Sequence, residues 1–475
     1  MDKLNTLKED TSSVSVREKY ISLTGEILKS SFPDRKPKAY ILTFGCQQNE
    51  ADSEKLMGQA ISAGYEKTDD INCADLIIYN TCAVREHAEL RALSRTGSLK
   101  ALKAKNKNLI IGIYGCMVTQ NHRMNDIKMK YPYVDFVAGT NMLHRLPEIL
   151  CDVLTNRRRR YYVSDEPAQT VEGIPSKRCS DIKAYVSIMY GCNNFCTYCV
   201  VPYVRGRERS RKKEDILAEI SSLVKNGYKE ITLLGQNVNS YRDESTDFPA
   251  LLSEICKIDG DFLVRFMTSH PKDASDELIS VIANNPKIER HFHLPMQSGS
   301  TQILSRMNRK YSAENYLALA KKLKENVQGI KLSTDIIVGF PGETEEDFCQ
   351  TLGLVEEIGF DAIFSFIYSP RIGTPAAEYD DLVTHEEKTE RMARLLKLQA
   401  DISAKQNAEY VGKTILALCE SKEKNDSGTY CARTSSNKLV LFTYDGDIEK
   451  IYGKNISIEI TRSTAAQLYG TVKNN

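Results

Sequence analysis

The chain of 475 residues contains no run of eighteen or more apolar residues, the length that a membrane-spanning helix requires. Its first forty residues also lack the apolar segment of a secretory leader. We therefore expect a cytoplasmic protein without membrane attachment, with its thiols reduced because disulfides persist mainly in oxidising compartments. The odd total of 13 cysteines agrees with this, since a disulfide framework uses cysteines in pairs.

An excess of charge of either sign is also missing, because 64 basic and 63 acidic residues give a formal net charge of +1. Bulk charge therefore does not predict a nucleic-acid-binding protein, and any such surface must be local. At about 100–200 residues per domain, a chain of this length contains two to four domains.

A fourth ligand is missing from the cysteine-rich segment Gly191–Arg211. Cys192, Cys196 and Cys199 follow a C-x₃-C-x₂-C spacing, but the next cysteine is Cys256 and no histidine lies nearby. This disfavours a structural zinc site, which requires four protein ligands. Three thiolates instead suit an iron–sulfur cluster whose remaining iron is open to another donor.

Short apolar runs alternate with amphipathic helical patterns around this segment, which is typical of repeated βα units. The predicted strands are Tyr185–Met189, Glu230–Leu234, Phe262–Met267, Arg290–Leu294, Leu332–Val338 and Ala362–Tyr368. Six units are too few for a complete eight-stranded barrel, so we predict a partial (βα)₆ barrel.

Polar or glycine-rich turns follow four of these strands, at the edge where α/β folds bind ligands. Gln236, Ser269 and Gln297 lie in three of the turns, and Asp335 interrupts the apolar fifth strand. Any one turn alone could be a simple tight turn. Four at successive strand ends favour a cofactor site.

Three further cysteines follow apolar strands in the first part of the chain. Cys46, Cys82 and Cys116 come at the ends of the runs that begin at Lys38, Asp75 and Leu109. Parallel strands of a doubly wound sheet end along one edge, so these thiols can meet there as a second three-cysteine site. The alternative is that they are buried small hydrophobic residues.

The C-x₃-C-x₂-C motif with Tyr198 before its last cysteine resembles the signature of the radical SAM enzymes. The stretches Thr43–Glu54, Asn80–Glu86 and Tyr114–Met117 resemble the N-terminal domain of the methylthiotransferases, and FCTYCVVPYVRGRERSR fits the same family. Within that family they are most similar to the branch that modifies N6-dimethylallyladenosine in tRNA. The branches acting on threonylcarbamoyladenosine in tRNA or on a ribosomal-protein aspartate are alternatives, as is a non-catalytic iron–sulfur RNA-binding protein.

This resemblance implies two 4Fe–4S clusters, one on each cysteine triad, and S-adenosylmethionine as both methyl donor and radical source. It implies cofactor contacts at Tyr198, Gln236, Ser269, Gln297 and Asp335. The implied partners are tRNA carrying N6-isopentenyladenosine, an electron donor such as flavodoxin or ferredoxin, and a sulfur donor; we expect a monomer. Radical attack on an aromatic C–H bond needs no acid–base pair, and the motifs contain no evident histidine or carboxylate dyad.

Beyond Val411, short alternating runs separated by turns predict a small antiparallel β-barrel that resembles the RNA-binding TRAM domain. Residues 410–475 contain nine basic and seven acidic residues, a difference of +2, which gives little electrostatic support for RNA binding. Arg205, Arg207 and Arg209 are the predicted RNA contacts. The run Arg157–Arg160 is more often a solvated linker, although it could contact phosphates.

The sequence thus predicts an α/β protein with an N-terminal doubly wound parallel sheet, a central partial barrel and a C-terminal β-barrel. The predicted boundaries are a solvated extension over 1–36, the N-terminal cluster domain over 37–153, a linker over 154–177, the radical SAM core over 178–408 and the TRAM-like barrel over 411–475.

Overall fold

The computed structural model describes residues 13–163, 169–425 and 427–473, so parts of the predicted extension and linker lie outside it. The chain forms two compact units. Of the described residues, the N-terminal unit contains those up to Cys179 together with Met189–Asn193 and Cys199–Arg211. The C-terminal unit contains Ser180–Ile188, Asn194–Tyr198 and the described residues from Lys212 onward. Among the described residues, no helix has both the length and the apolar character needed to span a bilayer.

The N-terminal unit is built on a six-stranded parallel sheet, with strand order β2-β1-β3-β4-β5-β6. Its strands are β1 Lys38–Phe44, β2 Glu66–Lys67, β3 Leu76–Thr81, β4 Ile110–Gly115, β5 Phe136–Ala138 and β6 Arg160–Tyr162. Its helices are α1 Val14–Ser31, α2 Gln47–Ser62, α3 Glu86–Lys105, α4 Asn121–Lys130 and α5 Leu146–Asn156. Successive residues of β3 alternate between two hydrophobic clusters, as expected when helices cover both faces of a sheet. The predicted parallel-sheet domain is confirmed.

The solvated extension expected at the N-terminus is wrong over Val14–Ser31, because α1 packs against α5. Leu28 belongs to the hydrophobic core, and the Thr24 hydroxyl donates to the Pro147 carbonyl at 3.0 Å. The contact face of α1 is narrow, so its charged and polar residues dominate the composition and conceal the helix in the sequence.

The arginine run that ends at Arg160, the first residue of β6, has a structural role. Arg159 donates to carbonyl groups near the end of α4, including that of Lys128 at 3.1 Å. Arg160 pairs with Asp152 of α5 at 2.7 Å. Both side chains therefore tie neighbouring helices to the edge of the sheet.

The next elements alternate between the two units. Strand β7, Lys183–Ser187, opens the C-terminal unit. The antiparallel pair β8 Met189–Tyr190 and β9 Arg209–Ser210, with the short helix α6 Val201–Arg205 between them, belongs to the N-terminal unit. Two segments of the predicted radical SAM core therefore cluster with the N-terminal sheet.

The C-terminal unit contains six parallel βα strands in chain order. After β7 they are β10 Glu230–Leu234, β13 Leu263–Phe266, β14 His291–His293, β15 Lys331–Val338 and β16 Ala362–Ile367; β11 Arg242–Asp243 and β12 Thr246–Asp247 form a small hairpin. Two three-stranded sheets result, and a parallel bridge pairs Val264 of β13 with Ile288, which lies shortly before β14 in the chain. The helices are α7 Lys213–Lys225, α8 Phe248–Cys256, α9 Asp276–Asn284, α10 Thr301–Arg306, α11 Ala313–Asn326, α12 Glu345–Ile358 and α13 His385–Ala408. All six predicted strands are present within two residues of their predicted ends.

The last five strands close into a barrel in the order β17-β18-β19-β21-β20. They are β17 Thr414–Cys419, β18 Tyr430–Thr434, β19 Leu439–Thr443, β20 Asn455–Ser463 and β21 Leu468–Val472. The predicted small barrel is confirmed, with one difference in topology. Strands β19 and β21 run parallel, while the other pairs are antiparallel.

Buried polar contacts attach this barrel to the βα strands of the same unit. Arg265 of β13 donates to the Thr434 carbonyl at 2.9 Å. Lys438, which is 7 % exposed, pairs with Asp361 just before β16 and donates to Asn407 at 2.7 Å. The barrel is therefore part of the packed interior of this unit.

Candidate iron–sulfur and cofactor sites

Cys46, Cys82 and Cys116 lie at the carboxyl ends of β1, β3 and β4, three adjacent strands of the N-terminal sheet. A Cβ placed on Gly45 would lie 3.0 Å from the Cβ of Cys82, so the first two cysteines are neighbours. Gly115 has φ +110°, and a Cβ there would lie 2.4 Å from the Thr81 carbonyl oxygen. Only glycine lets β4 turn into Cys116 at this spacing.

The three thiols influence one another's pKa values. A hydrogen bond with Cys82 lowers the pKa of Cys46 to about 6, and the same bond raises the pKa of Cys82. Burial raises the pKa of Cys116, and the charge of Cys46 adds to this effect. Cys82 and Cys116 are buried, whereas Cys46 is exposed. The structure thus brings together three thiols, one of which is readily deprotonated, and iron requires thiolates.

Helix α2 lines this site with buried polar side chains. The Cys46 thiol donates to Asn49 Oδ1 at 3.3 Å, and Asn49 Nδ2 donates to Asn80 Oδ1 at 3.0 Å. Asp52 is 2 % exposed and pairs with Arg205 at 2.9 Å. The sequence analysis did not predict the individual roles of Asn49 and Asp52. The signal available in the sequence was the high density of polar residues in the helix directly after Cys46.

The RNA contact predicted for Arg205 is wrong. Its guanidinium is buried inside the N-terminal unit, where Nε donates to Cys116 Sγ at 3.2 Å. Arg209 donates to the carbonyl groups of Arg205 and Arg207, at 3.2 and 2.7 Å. Of the three predicted RNA contacts, Arg207 is the exposed one.

Cys192, Cys196 and Cys199 lie in the loop between β8 and α6, and the first two are buried. Gly191 has φ +79°, and a Cβ there would lie 2.1 Å from the Arg207 carbonyl oxygen. This close approach fixes the backbone just before Cys192.

The central part of the loop is fixed within the C-terminal unit. The Thr197 amide donates to the Met307 carbonyl at 3.1 Å, and Asn308 Nδ2 donates to the Phe195 carbonyl at 2.9 Å. Tyr198, predicted to contact the cofactor, packs edge-on against Phe340 with ring centroids 6.5 Å apart. The aromatic residue before the last cysteine therefore contacts the turn that follows β15.

Arg309 contacts a cysteine of this second triad, and the sequence analysis did not predict the contact. Its Nη1 donates to Cys196 Sγ at 3.4 Å, and its Nε donates to the Tyr311 hydroxyl at 2.9 Å. Across the described parts of the chain, no carboxylate pairs with this guanidinium. A buried cation is stabilised by a nearby negative charge, which Cys196 would supply as a metal ligand, since metals bind cysteine as the thiolate.

Within residues 13–163, 169–425 and 427–473, no three or more cysteine, histidine or carboxylate side chains are arranged as a formed metal site. The two triads fit iron–sulfur clusters through the chemistry of their donors. Each offers three cysteines and one buried arginine directed at a thiol. Assignment of the six cysteines as cluster ligands stays a prediction.

The rim at the carboxyl ends of the βα strands carries two buried polar atoms, Ser269 Oγ and Asn237 Oδ1, that have no hydrogen-bond partner among the described residues. Thr268, directly before Ser269, and Gln297, in the segment after β14, have φ of 68° and 70°, the left-handed region that non-glycine residues rarely adopt. Such strain is concentrated at binding sites. Both features fit a polar ligand at the rim, where Gln236 also lies.

Asp335 lies beside a pair of buried histidines that the motifs did not reveal. His291 Nε2 and His293 Nδ1 share the Ser333 hydroxyl, at 2.8 and 2.9 Å, and His293 Nε2 lies 3.5 Å from Asp335 Oδ2. The half-exposed Phe364 ring packs against His293. The signal in the sequence was the alternation of histidines in β14 and of polar residues in β15, which places them on one face.

Replacement of Ser269 by alanine is expected to weaken S-adenosylmethionine binding by about 0.5–1.5 kcal/mol and to leave the melting temperature unchanged, because its hydroxyl has no protein partner among the described residues. Calorimetric titration and thermal denaturation measure the two effects. Ser333→Ala is the control, since it removes the hydroxyl shared by His291 and His293 and should lower the melting temperature. A less stable Ser269→Ala variant with unchanged affinity would contradict the assignment.

Comparison with known proteins covers nearly the whole chain. Residues 186–355 match the radical SAM superfamily, and residues 38–139 match a family described as "Uncharacterized protein family UPF0004". A relative from Thermoanaerobacter pseudethanolicus is 47 % identical over 96 % of this chain and 98 % of its own length, and one from Alkaliphilus oremlandii is 50 % identical over 94 % and 95 %. Both are named tRNA-2-methylthio-N(6)-dimethylallyladenosine synthase.

Solved structures agree on the fold. The radical S-adenosylmethionine methyltransferase TsrM from Kitasatospora setae has a TM-score of 0.53 at 14 % identity, over 72 % of this chain and 75 % of that chain. The cobalamin-dependent S-adenosylmethionine radical enzyme OxsB in its apo form has a TM-score of 0.51 at 14 % identity, over 76 % and 57 %. The relatives that are 47 % and 50 % identical over 96 % and 94 % of this chain show that the chain belongs to the tRNA-2-methylthio-N(6)-dimethylallyladenosine synthase family of radical SAM enzymes.

Proposed function

We propose that the protein adds a methylthio group to C2 of N6-dimethylallyladenosine next to the anticodon of tRNA. The observation that carries the proposal is the meeting of Cys46, Cys82 and Cys116 at one sheet edge. The chain also contains the C-x₃-C-x₂-C loop, so it offers two separate three-cysteine sites. The names of relatives that match 91–96 % of the chain support the choice of substrate.

The proposed cofactors are two 4Fe–4S clusters and S-adenosylmethionine, which supply the methyl group, the sulfur-bearing centre and the radical that removes the C2 hydrogen. The protein's part is to hold and orient these groups. Cys46, Cys82 and Cys116 hold one cluster, and the C-x₃-C-x₂-C loop holds the other. Ser269 and Asn237 orient S-adenosylmethionine through oxygens that have no hydrogen-bond partner among the described residues.

We assign tRNA binding to the C-terminal barrel, which is TRAM-like, and to the exposed Arg207. On the barrel surface the Arg462 guanidinium stacks 3.7 Å from the centroid of the Tyr469 ring. A cation and an aromatic ring presented together suit an unpaired base and its phosphate. Arg433 and Lys438 are not available for this role, because they pair with Glu420 and Asp361.

The proposed setting is cytoplasmic, where tRNA is modified, with the protein acting as a monomer. The radical step requires an external electron, for which a flavodoxin- or ferredoxin-like donor is suitable. Repeated turnover also requires a sulfur donor, because each product carries away one sulfur atom.

Incubation of the anaerobically reconstituted protein with S-adenosylmethionine, a reductant and tRNA tests the proposal. We expect mass spectrometry of the digested nucleosides to detect 2-methylthio-N6-dimethylallyladenosine only when the tRNA already carries the dimethylallyl group. The Cys73→Ala variant is a matched control, since this exposed cysteine lies outside both triads. Product on threonylcarbamoyladenosine or on a ribosomal protein instead would assign the protein to another branch, and absence of any product would favour a binding protein.

A further inference from the structure

Two buried arginines each direct a nitrogen at a cysteine of a different triad. Arg205 Nε lies 3.2 Å from Cys116 Sγ in the N-terminal unit, and Arg309 Nη1 lies 3.4 Å from Cys196 Sγ in the C-terminal unit. Each arginine is only 8 % exposed. Neither side chain is placed to contact a nucleic acid, so each charge acts on the thiol beside it.

The position of Arg205 is fixed on both sides. Its Nη2 pairs with Asp52 Oδ2 at 2.9 Å, and Asp52 Oδ1 accepts from Gln48 Nε2 at 3.1 Å. Helix α6, which ends at Arg205, is held by the Thr140 hydroxyl, which donates to the Val204 carbonyl at 2.9 Å. The direction of the guanidinium toward Cys116 is therefore imposed by the surrounding structure.

Arg309 is fixed by neutral groups. Its Nη2 donates to the Pro295 carbonyl at 3.1 Å, and its Nε donates to the Tyr311 hydroxyl at 2.9 Å. A buried guanidinium with only neutral partners is expensive in free energy. A metal-bound thiolate at Cys196 would relieve that cost, because Arg309 Nη1 lies 3.4 Å from Cys196 Sγ and no carboxylate of the described chain offsets its charge.

We propose that Arg205 and Arg309 are positioning residues, each of which donates a charge-assisted hydrogen bond to one thiolate ligand and raises the reduction potential of the cluster held there. This inference rests on the two-cluster function proposed above. Charge and hydrogen bonds at the cysteine sulfurs set the potential of such a cluster. Reduction adds negative charge, so a fixed cation stabilises the reduced form more than the oxidised form.

The two arginines should differ in the size of their effect. Asp52 offsets part of the charge of Arg205, whereas Arg309 has no carboxylate partner in the described chain. Loss of the charge at Arg309 should therefore lower the potential of its cluster more than the same loss at Arg205.

Full-length variants that keep one cluster at a time provide the test. The Cys192→Ala, Cys196→Ala and Cys199→Ala triple variant keeps the N-terminal cluster, and the Cys46→Ala, Cys82→Ala and Cys116→Ala triple variant keeps the other. In redox titrations followed by electron paramagnetic resonance, Arg205→Gln should lower the midpoint potential in the first background. In the second background, Arg309→Gln should lower the midpoint potential by a larger amount. Asp52→Asn leaves the charge of Arg205 without its partner and should raise the midpoint potential in the first background.

A charge effect shifts the midpoint potential in opposite directions in Arg205→Gln and Asp52→Asn. Loosening of the structure would shift the potential of both variants in the same direction. Arg205→Lys keeps the charge and should shift the potential less than Arg205→Gln; it also serves if the glutamine variant fails to fold. Arg160→Gln is the matched control and should leave the potential unchanged, since Arg160 lies in the same unit but pairs with Asp152 of α5.

Unchanged potentials in iron-loaded single-cluster proteins would overturn the role of the arginines and leave the two-cluster function standing. Shifts of the same sign from Arg205→Gln and Asp52→Asn would also overturn it. A single-cluster background that binds no iron after reconstitution would overturn both, because the arginine would then have no cluster to serve.

Discussion

Replacement of Cys46, Cys82 and Cys116 together by alanine is expected to abolish methylthiolated nucleoside while the production of 5′-deoxyadenosine continues. The three cysteines follow β1, β3 and β4 in the N-terminal unit, and none belongs to the C-x₃-C-x₂-C loop. Loss of their cluster should remove the sulfur-bearing centre and about half of the bound iron. Nucleoside mass spectrometry, chromatography of 5′-deoxyadenosine and iron analysis of the same preparation measure the three effects.

The matched control replaces Cys73, Cys151 and Cys179, three other cysteines of the same unit, and should retain iron, 5′-deoxyadenosine and product. Replacement of the cysteines of the loop should instead remove both 5′-deoxyadenosine and product. Because loss of a cluster can unfold a domain, circular dichroism and gel filtration come first. A folded variant without Cys46, Cys82 and Cys116 that still makes methylthiolated nucleoside at the normal rate would contradict the two-cluster mechanism.

Deletion of residues 411–475 is expected to yield a C-terminal unit that is unstable and no longer cleaves S-adenosylmethionine. The barrel looks separable in the sequence, but Lys438 is buried against Asp361, and Arg265 donates to the Thr434 carbonyl. Arg265 also pairs with Glu230 at 2.6 Å and with Glu289 at 2.7 Å, so its surroundings are a buried charge network.

A single substitution tests the same contact. Lys438→Ala leaves the carboxylate of Asp361 buried without its partner, and breaking such a buried pair costs about 3–5 kcal/mol. This is a large part of the roughly 5–15 kcal/mol that stabilises a typical domain. We expect a clear fall in the melting temperature. Lys473→Ala is the control, because its pair with Glu459 at 3.5 Å is exposed and should contribute little.

The deletion therefore cannot show whether the barrel binds RNA, and a surface substitution is needed for that purpose. Arg462→Ala removes the cation stacked on Tyr469, so it should weaken tRNA binding while stability and S-adenosylmethionine cleavage are preserved. A truncated protein that keeps its melting temperature and still cleaves S-adenosylmethionine would show that the barrel does not support the fold.

Local patterns in the sequence were sufficient to place the strands and the cysteine triads. The apolar runs before Cys46, Cys82 and Cys116 are long enough to define buried strands, and parallel strands necessarily end at one edge of a sheet. The same reasoning located Ser269, Gln297 and Asp335 at or near the ends of the βα strands. Periodicity and chain direction carry this information, so no knowledge of distant contacts was needed.

Only the tertiary structure decided which partners the long and charged side chains take. Arg205 reaches Asp52 across 153 residues of sequence, and Arg309 reaches Cys196 across 113. From sequence alone, an arginine near a motif fits an RNA contact and a buried hydrogen-bond donor equally well. The two are distinguished only when the distant segments that surround the arginine are known. The same reason applies to α1, whose narrow packing face is hidden by its polar composition, and to Lys438, whose burial depends on Asp361. Spacing along the chain determined where the thiols gather, and packing between distant segments determined the charges that surround them.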